Sequence, residues 1–252
     1  MSSDLEHSVG PGGGAVANDY DSFAEAYAAE TESNLINGYY VRPAVLDLVG
    51  DVAGRRMLDV GCGAGPLLES LRERGAVVTG VEPSVRMLEL ARRRLGGGVV
   101  LHQGGLGGDP LPFPDGTFDD VIVCLVLHYL RDWKEPLAEL RRVLVPGGRV
   151  IVVLNHPFVY RLQFPKADYF APREWSESYT FSGQSATLTY WHRPLSAMSA
   201  AFAEAGFRIV VISEPPPAPG ARERFPEVFA EIFKDPSNTA FLNFLFFVLE
   251  AA

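Results

Sequence analysis

Cysteine is scarce: Cys62 and Cys124 are the only two in 252 residues. Neither a disulfide framework nor a zinc site can be built from two such thiols, and a reducing, cytoplasmic setting is expected. Long apolar runs are also missing. The most apolar stretch, 240–249, contains Asn243 and is well short of the roughly 20 residues that span a bilayer. No charged segment leading into an apolar run and a small-residue cleavage site opens the chain, so no signal peptide is expected. Basic charge is in deficit, with 22 Lys and Arg against 31 Asp and Glu for a net charge of -9. That balance argues against a nucleic-acid surface. The local clusters Arg92-Arg93-Arg94 and Arg141-Arg142 fall in helical patterns and read as solvated faces. No internal repeat is visible. Nucleic-acid and membrane partners are therefore not expected, and no metal site is.

Hydrophobic residues make up 47% of the chain and charged residues 21%, enough apolar material for a sizeable core. Residues 1–18, with a Gly-Pro-Gly-Gly-Gly stretch at 10–14, read as a disordered tail, and 19–252 as a single domain. Helical segments are expected at 21–30 and 43–49. From Met57 onward strands and helices alternate: strands at 57–61, 77–81, 99–102, 119–125 and 149–154, helices at 66–74, 84–95 and 133–144. This rhythm specifies a mostly parallel sheet covered on both faces. Residues 156–194 break it. They are rich in aromatics and proline, show no helical period, and read as an insertion capping the ligand edge of the sheet. The scaffold resumes with a helix at 195–205, a strand at 208–213, a short helix at 224–233 and a final strand at 241–249.

The strongest motif is Met57-Leu-Asp-Val-Gly-Cys-Gly-Ala-Gly65, a strand entering a glycine-rich turn and then a helix that begins at Pro66. Glycine permits the tight path and lets a ligand approach the main chain. Glu82 closes the second strand, 21 residues after Gly61, where a carboxylate can accept two ribose hydroxyls. A dinucleotide fingerprint begun at Gly61 requires glycine at 66, and Pro66 stands there instead. Gly61-x-Gly63-x-Gly65 preceded by Asp59 resembles the first motif of class I S-adenosylmethionine-dependent methyltransferases of the small-molecule type. Val81-Glu-Pro-Ser-Val-Arg-Met87 resembles their second motif. The 111–119 and 143–149 segments resemble the approaches to their fourth and fifth strands.

The resemblance implies a Rossmann-like, seven-stranded, mostly parallel sheet with an antiparallel last strand, helices on both faces and an N-terminal helical lid over 19–27. It implies S-adenosylmethionine as cofactor, with S-adenosylhomocysteine as product. Its holders would be Asp59, Gly61, Cys62, Gly63, Gly65, Glu82, Pro83 and Met87, with Cys124, Tyr27 and Arg42 beside them. The family's acidic adenine contact is absent: Gly105 stands at that position, leaving the backbone at Gly105 and Leu106. Methyl transfer to a hydroxyl or amine needs a proton acceptor. His128 and His156, following the fourth and fifth strands, are the expected bases. Tyr20, Tyr39, Trp191 and His192 are expected to contact a small, hydrophobic or aromatic acceptor, in a monomer or homodimer. Two other readings remain: the same fold repurposed for another reaction, and an NAD-dependent oxidoreductase.

Overall fold

The computed structural model describes residues 18–232 and 242–252. Residues 1–17 of the expected 1–18 tail, residue 233 of the expected helix and residue 241 of the last expected strand lie outside them. In chain order the elements are α1 (Ala24–Thr31), α2 (Arg42–Val49), β1 (Arg56–Val60), α3 (Pro66–Glu73), β2 (Val77–Glu82), α4 (Val85–Leu95), β3 (Val100–Gln103) and β4 (Phe118–Cys124). There follow α5 (Lys134–Val143), β5 (Leu144–Asn155), α6 (Pro157–Gln163), β6 (Arg173–Phe181) and β7 (Gln184–His192). The chain then runs through α7 (Leu195–Glu204), β8 (Phe207–Ser213), α8 (Ala221–Arg224), α9 (Pro226–Ile232) and β9 (Phe244–Ala251).

Seven strands form one sheet in the order β3-β2-β1-β4-β5-β9-β8. Neighbours from β3 to β5 are parallel, and β9 is antiparallel to both β5 and β8. The Rossmann-like architecture expected from the sequence is the observed one. Strand alternation explains the two layers. Met57, Ile151 and Val153 face the core shared with α2, α3 and α4, while Leu58, Val150 and Val152 face the core shared with α5 and α7. Strands buried on both faces read as near-continuous apolar runs, which is why their positions were legible. At the amino edge, Arg55 and Arg149 both bond the fully buried Asp120, at 2.5 and 2.7 Å. This clamp ties the loop before β1 to β4 and β5, away from the carboxyl edge where open sheets bind ligands.

The insertion corrects the expectation of an irregular cap. It holds α6 and a fully paired antiparallel hairpin, β6–β7. Two residues, Ser182 and Gly183, make the turn with φ of +47° and +84°, the sign that a tight hairpin turn of the I′ kind requires. Alternation along β7 buries Ala186, Leu188, Tyr190 and His192 and leaves Thr187 exposed and Trp191 half-buried.

The N-terminal segment 18–31 lies as a strap between this hairpin and α4. Asn18 exchanges hydrogen bonds with the Thr189 main chain, at 2.9 and 3.3 Å. Glu30 accepts from the Ser182 N–H at the hairpin turn. At the other side, Asp21 accepts from the Ser84 hydroxyl at 2.5 Å and the Arg86 N–H at 3.0 Å. These bonds to the charged form lower its pKa.

Candidate functional site

The turn after β1 is shaped by main chain. The Gly61 N–H donates to the Val81 carbonyl at 2.7 Å. Gly61 has φ +80°, and a Cβ there would stand 2.4 Å from Val126 Cγ2, so no other residue fits without displacement. At Gly63, φ +54°, a Cβ would point into open space instead. That space is a cradle a ligand can enter against bare backbone.

Glu82 is buried at the end of β2 and reaches back into the turn. One carboxylate oxygen accepts from the Gly63 N–H and the other from the Ser84 N–H, both at 3.0 Å. Burial raises its pKa while these two donors oppose the rise. Asp59, one strand over, has its carboxyl pushed up to about 7 by burial and then by the Glu82 charge. Two buried carboxylates are therefore crowded beside a glycine turn, and neither forms an ion pair among the described residues. The pocket favours a cationic ligand and repels an anionic one.

The other residues expected to hold a cofactor surround this centre. Met87 is buried with Ala64 against Tyr20 and Tyr27. Cys62 is buried and Cys124 half-buried, and desolvation pushes both thiols up. Arg42 donates to the Glu32 carbonyl at 2.5 Å, and partial burial lowers its pKa. Gly65 caps the start of α3. Beyond β3, the Gly104 N–H bonds the Glu82 carbonyl and the Gln103 amide bonds the Pro83 carbonyl. A Cβ at Gly105 would meet only Pro83, at 3.8 Å, so backbone and open room stand where the family carries an acid. Leu106 packs into the core shared with α5.

Over this edge sits an aromatic roof drawn from three segments. Phe23, Tyr20 and Tyr27 of the strap, Tyr129 after β4, and Trp175, Tyr179, Phe181 and Tyr190 of the hairpin share one apolar cluster. The Phe23 and Phe181 rings stack at 5.5 Å, and Tyr27 meets Phe181 edge-on at 5.1 Å. Tyr20 bonds Tyr129 hydroxyl to hydroxyl at 2.7 Å. Tyr39 lies elsewhere, packed edge-on to Phe225 at 5.3 Å. Trp191 and His192 face opposite sides of the hairpin, as consecutive strand residues do. Trp191 stands on the outer face under the Arg131 guanidinium, 5.3 Å from the ring. His192 is buried on the inner face, stacked on Tyr160 at 3.8 Å and bonded to the Tyr169 carbonyl at 2.8 Å.

Neither expected base is a free imidazole. His156 caps α6: its Nδ1 accepts from the Phe158 N–H at 3.0 Å, and its Nε2 pairs with Glu214 at 2.7 Å. His128 is buried beside Tyr129 and Tyr190, with Nδ1 accepting from the Asn155 N–H at 3.1 Å. Its proton therefore sits on Nε2, which has no hydrogen-bond partner among the described residues. Desolvation pushes its pKa down to about 3, against a smaller opposite effect of the Leu125 carbonyl. It stays neutral at physiological pH, a hydrogen-bond donor and not a proton acceptor. A groove of about 890 Å3 lined by Trp133, Arg142, Arg193 and Glu204 includes none of these residues. The crowded carboxylates, the glycine turn and the roof meet instead at the carboxyl edge.

Comparison with known proteins agrees with this geometry. Residues 58–152 match the methyltransferase domain family. The demethylmenaquinone methyltransferase of Tropheryma whipplei (strain Twist) is 34% identical over 143 residues, covering 55% of this chain and 58% of that protein. The enzyme of the same name from Thermus thermophilus is 36% identical over 135 residues, 50% of this chain and 61% of its own length. The chain thus spans about three fifths of the relatives it matches. An S-adenosylmethionine-dependent methyltransferase of Mesorhizobium loti superposes with a TM-score of 0.62 at 24% identity, covering 82% of this chain and 96% of that one. Residues 58–152 thus resemble a methyltransferase domain, and the fold is the one shared with the S-adenosylmethionine-dependent methyltransferase of Mesorhizobium loti.

Proposed function

We propose that this methyltransferase-domain chain transfers a methyl group from S-adenosylmethionine to a small aromatic or hydrophobic acceptor held under the roof. The observation that carries the reading is the pair Asp59 and Glu82, buried beside the open backbone cradle at Gly63. These residues fit the donor. Glu82, already fixed by two N–H groups, keeps lone pairs for ribose hydroxyls. The Asp59–Glu82 charge favours the donor's ammonium and sulfonium groups. It also disfavours the pyrophosphate of NAD, as Pro66 does. When bound, the donor supplies a methyl group on a cationic sulfur. The chain's own contribution is alignment and exclusion of water: Met87 and Tyr27 close the pocket, and the strap and hairpin cover it.

The residues 156–194 then form the acceptor cap of a single domain, in a cytoplasmic protein. A quinone-type acceptor is the finer reading. It is supported by the names of the relatives and by the density of Tyr, Trp and Phe in the roof. The test is Glu82→Ala with S-adenosylhomocysteine. Hydrogen bonds to a charged group contribute about 1.5–3 kcal/mol, so the dissociation constant should rise roughly ten- to a hundred-fold. An unchanged constant would remove Glu82 from the ribose and the reading with it.

A further inference from the structure

Exposed apolar side chains are unevenly placed on this molecule. Among the described residues nine large ones are exposed, and five of these are valine or isoleucine scattered along β2, α4, β3 and β8. The other four gather after β5: Phe158 and Leu162 on α6, Phe170 in the loop beyond it and Leu195 at the start of α7, exposed by 47, 64, 72 and 39%. Helix α6 buries Pro157 and Tyr160, the latter stacked on His192 at 3.8 Å. Phe158 and Leu162, four residues apart and so neighbours on the helix surface, stand in water on its other side. Phe170 is held out by a side-chain turn, in which Asp168 accepts from its N–H at 2.9 Å. Its neighbour Tyr169 fixes the loop: the Tyr169 carbonyl accepts from His192 at 2.8 Å and its hydroxyl from the Leu195 N–H at 3.3 Å. These rings and methyls are thus held in water, which is unfavourable until something apolar meets them.

The charge around them runs against that of the whole chain. Net charge is -9, yet the segment 157–173 carries Arg161, Lys166 and Arg173 against Asp168 alone. All three bases are exposed. Arg161 donates to the Pro165 carbonyl, Glu214 is taken by His156 at 2.7 Å, and none of the three bases forms an ion pair among the described residues. We infer that α6 and the loop 164–172 dock on the surface of an anionic lipid bilayer, with Phe158, Leu162 and Phe170 in the acyl boundary and the bases among the headgroups. An apolar face flanked by lysine and arginine suits that interface. A face of one seven-residue helix and a turn falls short of the roughly 800 Å2 per partner that a stable protein interface buries, whereas a bilayer accepts an apolar patch of any outline. Surface docking needs no spanning segment, and among the described residues no helix is long and apolar enough to cross a membrane. The expectation of no membrane partner is revised accordingly. Docking turns the carboxyl edge of the sheet, where β5 runs into α6, toward the lipid. Entry of an apolar acceptor from that side rests on the proposed function; the docking itself does not.

The experiment is flotation of the full chain with vesicles of phosphatidylcholine alone and of phosphatidylcholine and phosphatidylglycerol in equal parts. The parent should float with the mixed vesicles and far less with the neutral ones. Phe158→Ser combined with Leu162→Ser should lower partition about a hundred-fold, roughly ten-fold for each side chain withdrawn from the acyl boundary. Lys166→Gln combined with Arg173→Gln should weaken binding to the mixed vesicles by roughly ten- to thirty-fold and leave the neutral ones unaffected. Val210→Ser combined with Ile212→Ser alters an exposed apolar pair on β8, at the edge of the sheet, and should keep the parent partition. Unchanged thermal midpoints will show that these exposed substitutions leave the fold intact. A parent chain that floats with neither vesicle overturns the inference, as does an equal loss from the β8 pair. If the α6 face instead covers a second copy of this chain, size exclusion will give a dimer that the Phe158→Ser, Leu162→Ser variant splits, without flotation, and lipid docking is overturned. None of these readouts requires turnover or donor binding, so their failure leaves the Glu82 test of the proposed function untouched.

Discussion

The glycine-turn half of the site and its roof are built by opposite means. Around β1 and β2 the pocket is made of main chain, with the Glu82 carboxylate fixed by two backbone N–H groups at 3.0 Å within a stretch of about twenty residues. The roof is made of side chains from segments more than a hundred residues apart, joined by ring contacts and hydroxyl pairs. The first arrangement is local in sequence and is the part that the family match covers. The second begins outside residues 58–152 and returns to them only at Tyr129. A fold that handles one cofactor and many acceptors can keep the first and rebuild the second.

The largest expected effect separates the two halves by removing the ring that joins strap to hairpin. Phe181→Ala deletes contacts to Phe23, Tyr27 and Tyr179. Large-to-small changes of this kind cost about 3–5 kcal/mol, enough to speed amide exchange more than a hundred-fold wherever that energy is lost. Exchange should accelerate in 18–31 and in the hairpin and stay unchanged in β1, β2 and β4. Uniform acceleration through the sheet would mean that the roof and the pocket floor are one cooperative unit.

A smaller effect sharpens the electrostatic side of the comparison. Asp59 has its carboxyl raised to about 7, above the unfolded value, so ionising it opposes the ligand-free fold. Stability from this group is present at low pH and is lost as pH rises from about 4 through 7. A bound cation reverses the preference. S-adenosylmethionine affinity should rise with pH between 6 and 8, by at most about tenfold per unit. Asp59→Asn should flatten that dependence and raise the thermal midpoint of the ligand-free protein at pH 8. Parallel pH curves for the parent and Asp59→Asn would place the charge elsewhere.

What the sequence made legible follows the same division. Strands buried on both faces announce themselves as apolar runs, and Gly61, Gly63, Gly65 and Glu82 carry their geometry in their spacing. The hairpin was missed although its signal was present: Ala186, Leu188, Tyr190 and His192 alternate with Thr187, Thr189 and Trp191 behind a Ser182-Gly183 turn. The strap contacts of Asn18, Asp21 and Glu30 gave no local signal. Their partners are set by tertiary packing. His128 and His156 were placed at the correct edge, but only the bonds from Asn155 and Phe158 decide what their ring nitrogens can do.

The central claim is that the pocket between β1 and β2 is built for a cationic adenosine donor. Calorimetric titration of the unaltered protein with S-adenosylmethionine, S-adenosylhomocysteine and NAD, side by side at pH 8, tests it most directly. The account predicts that both adenosyl ligands bind, the sulfonium form more tightly for its charge, and that NAD gives no measurable heat of binding. Comparable affinity for NAD would contradict it, because the buried Asp59–Glu82 pair could then not be the feature that selects the ligand.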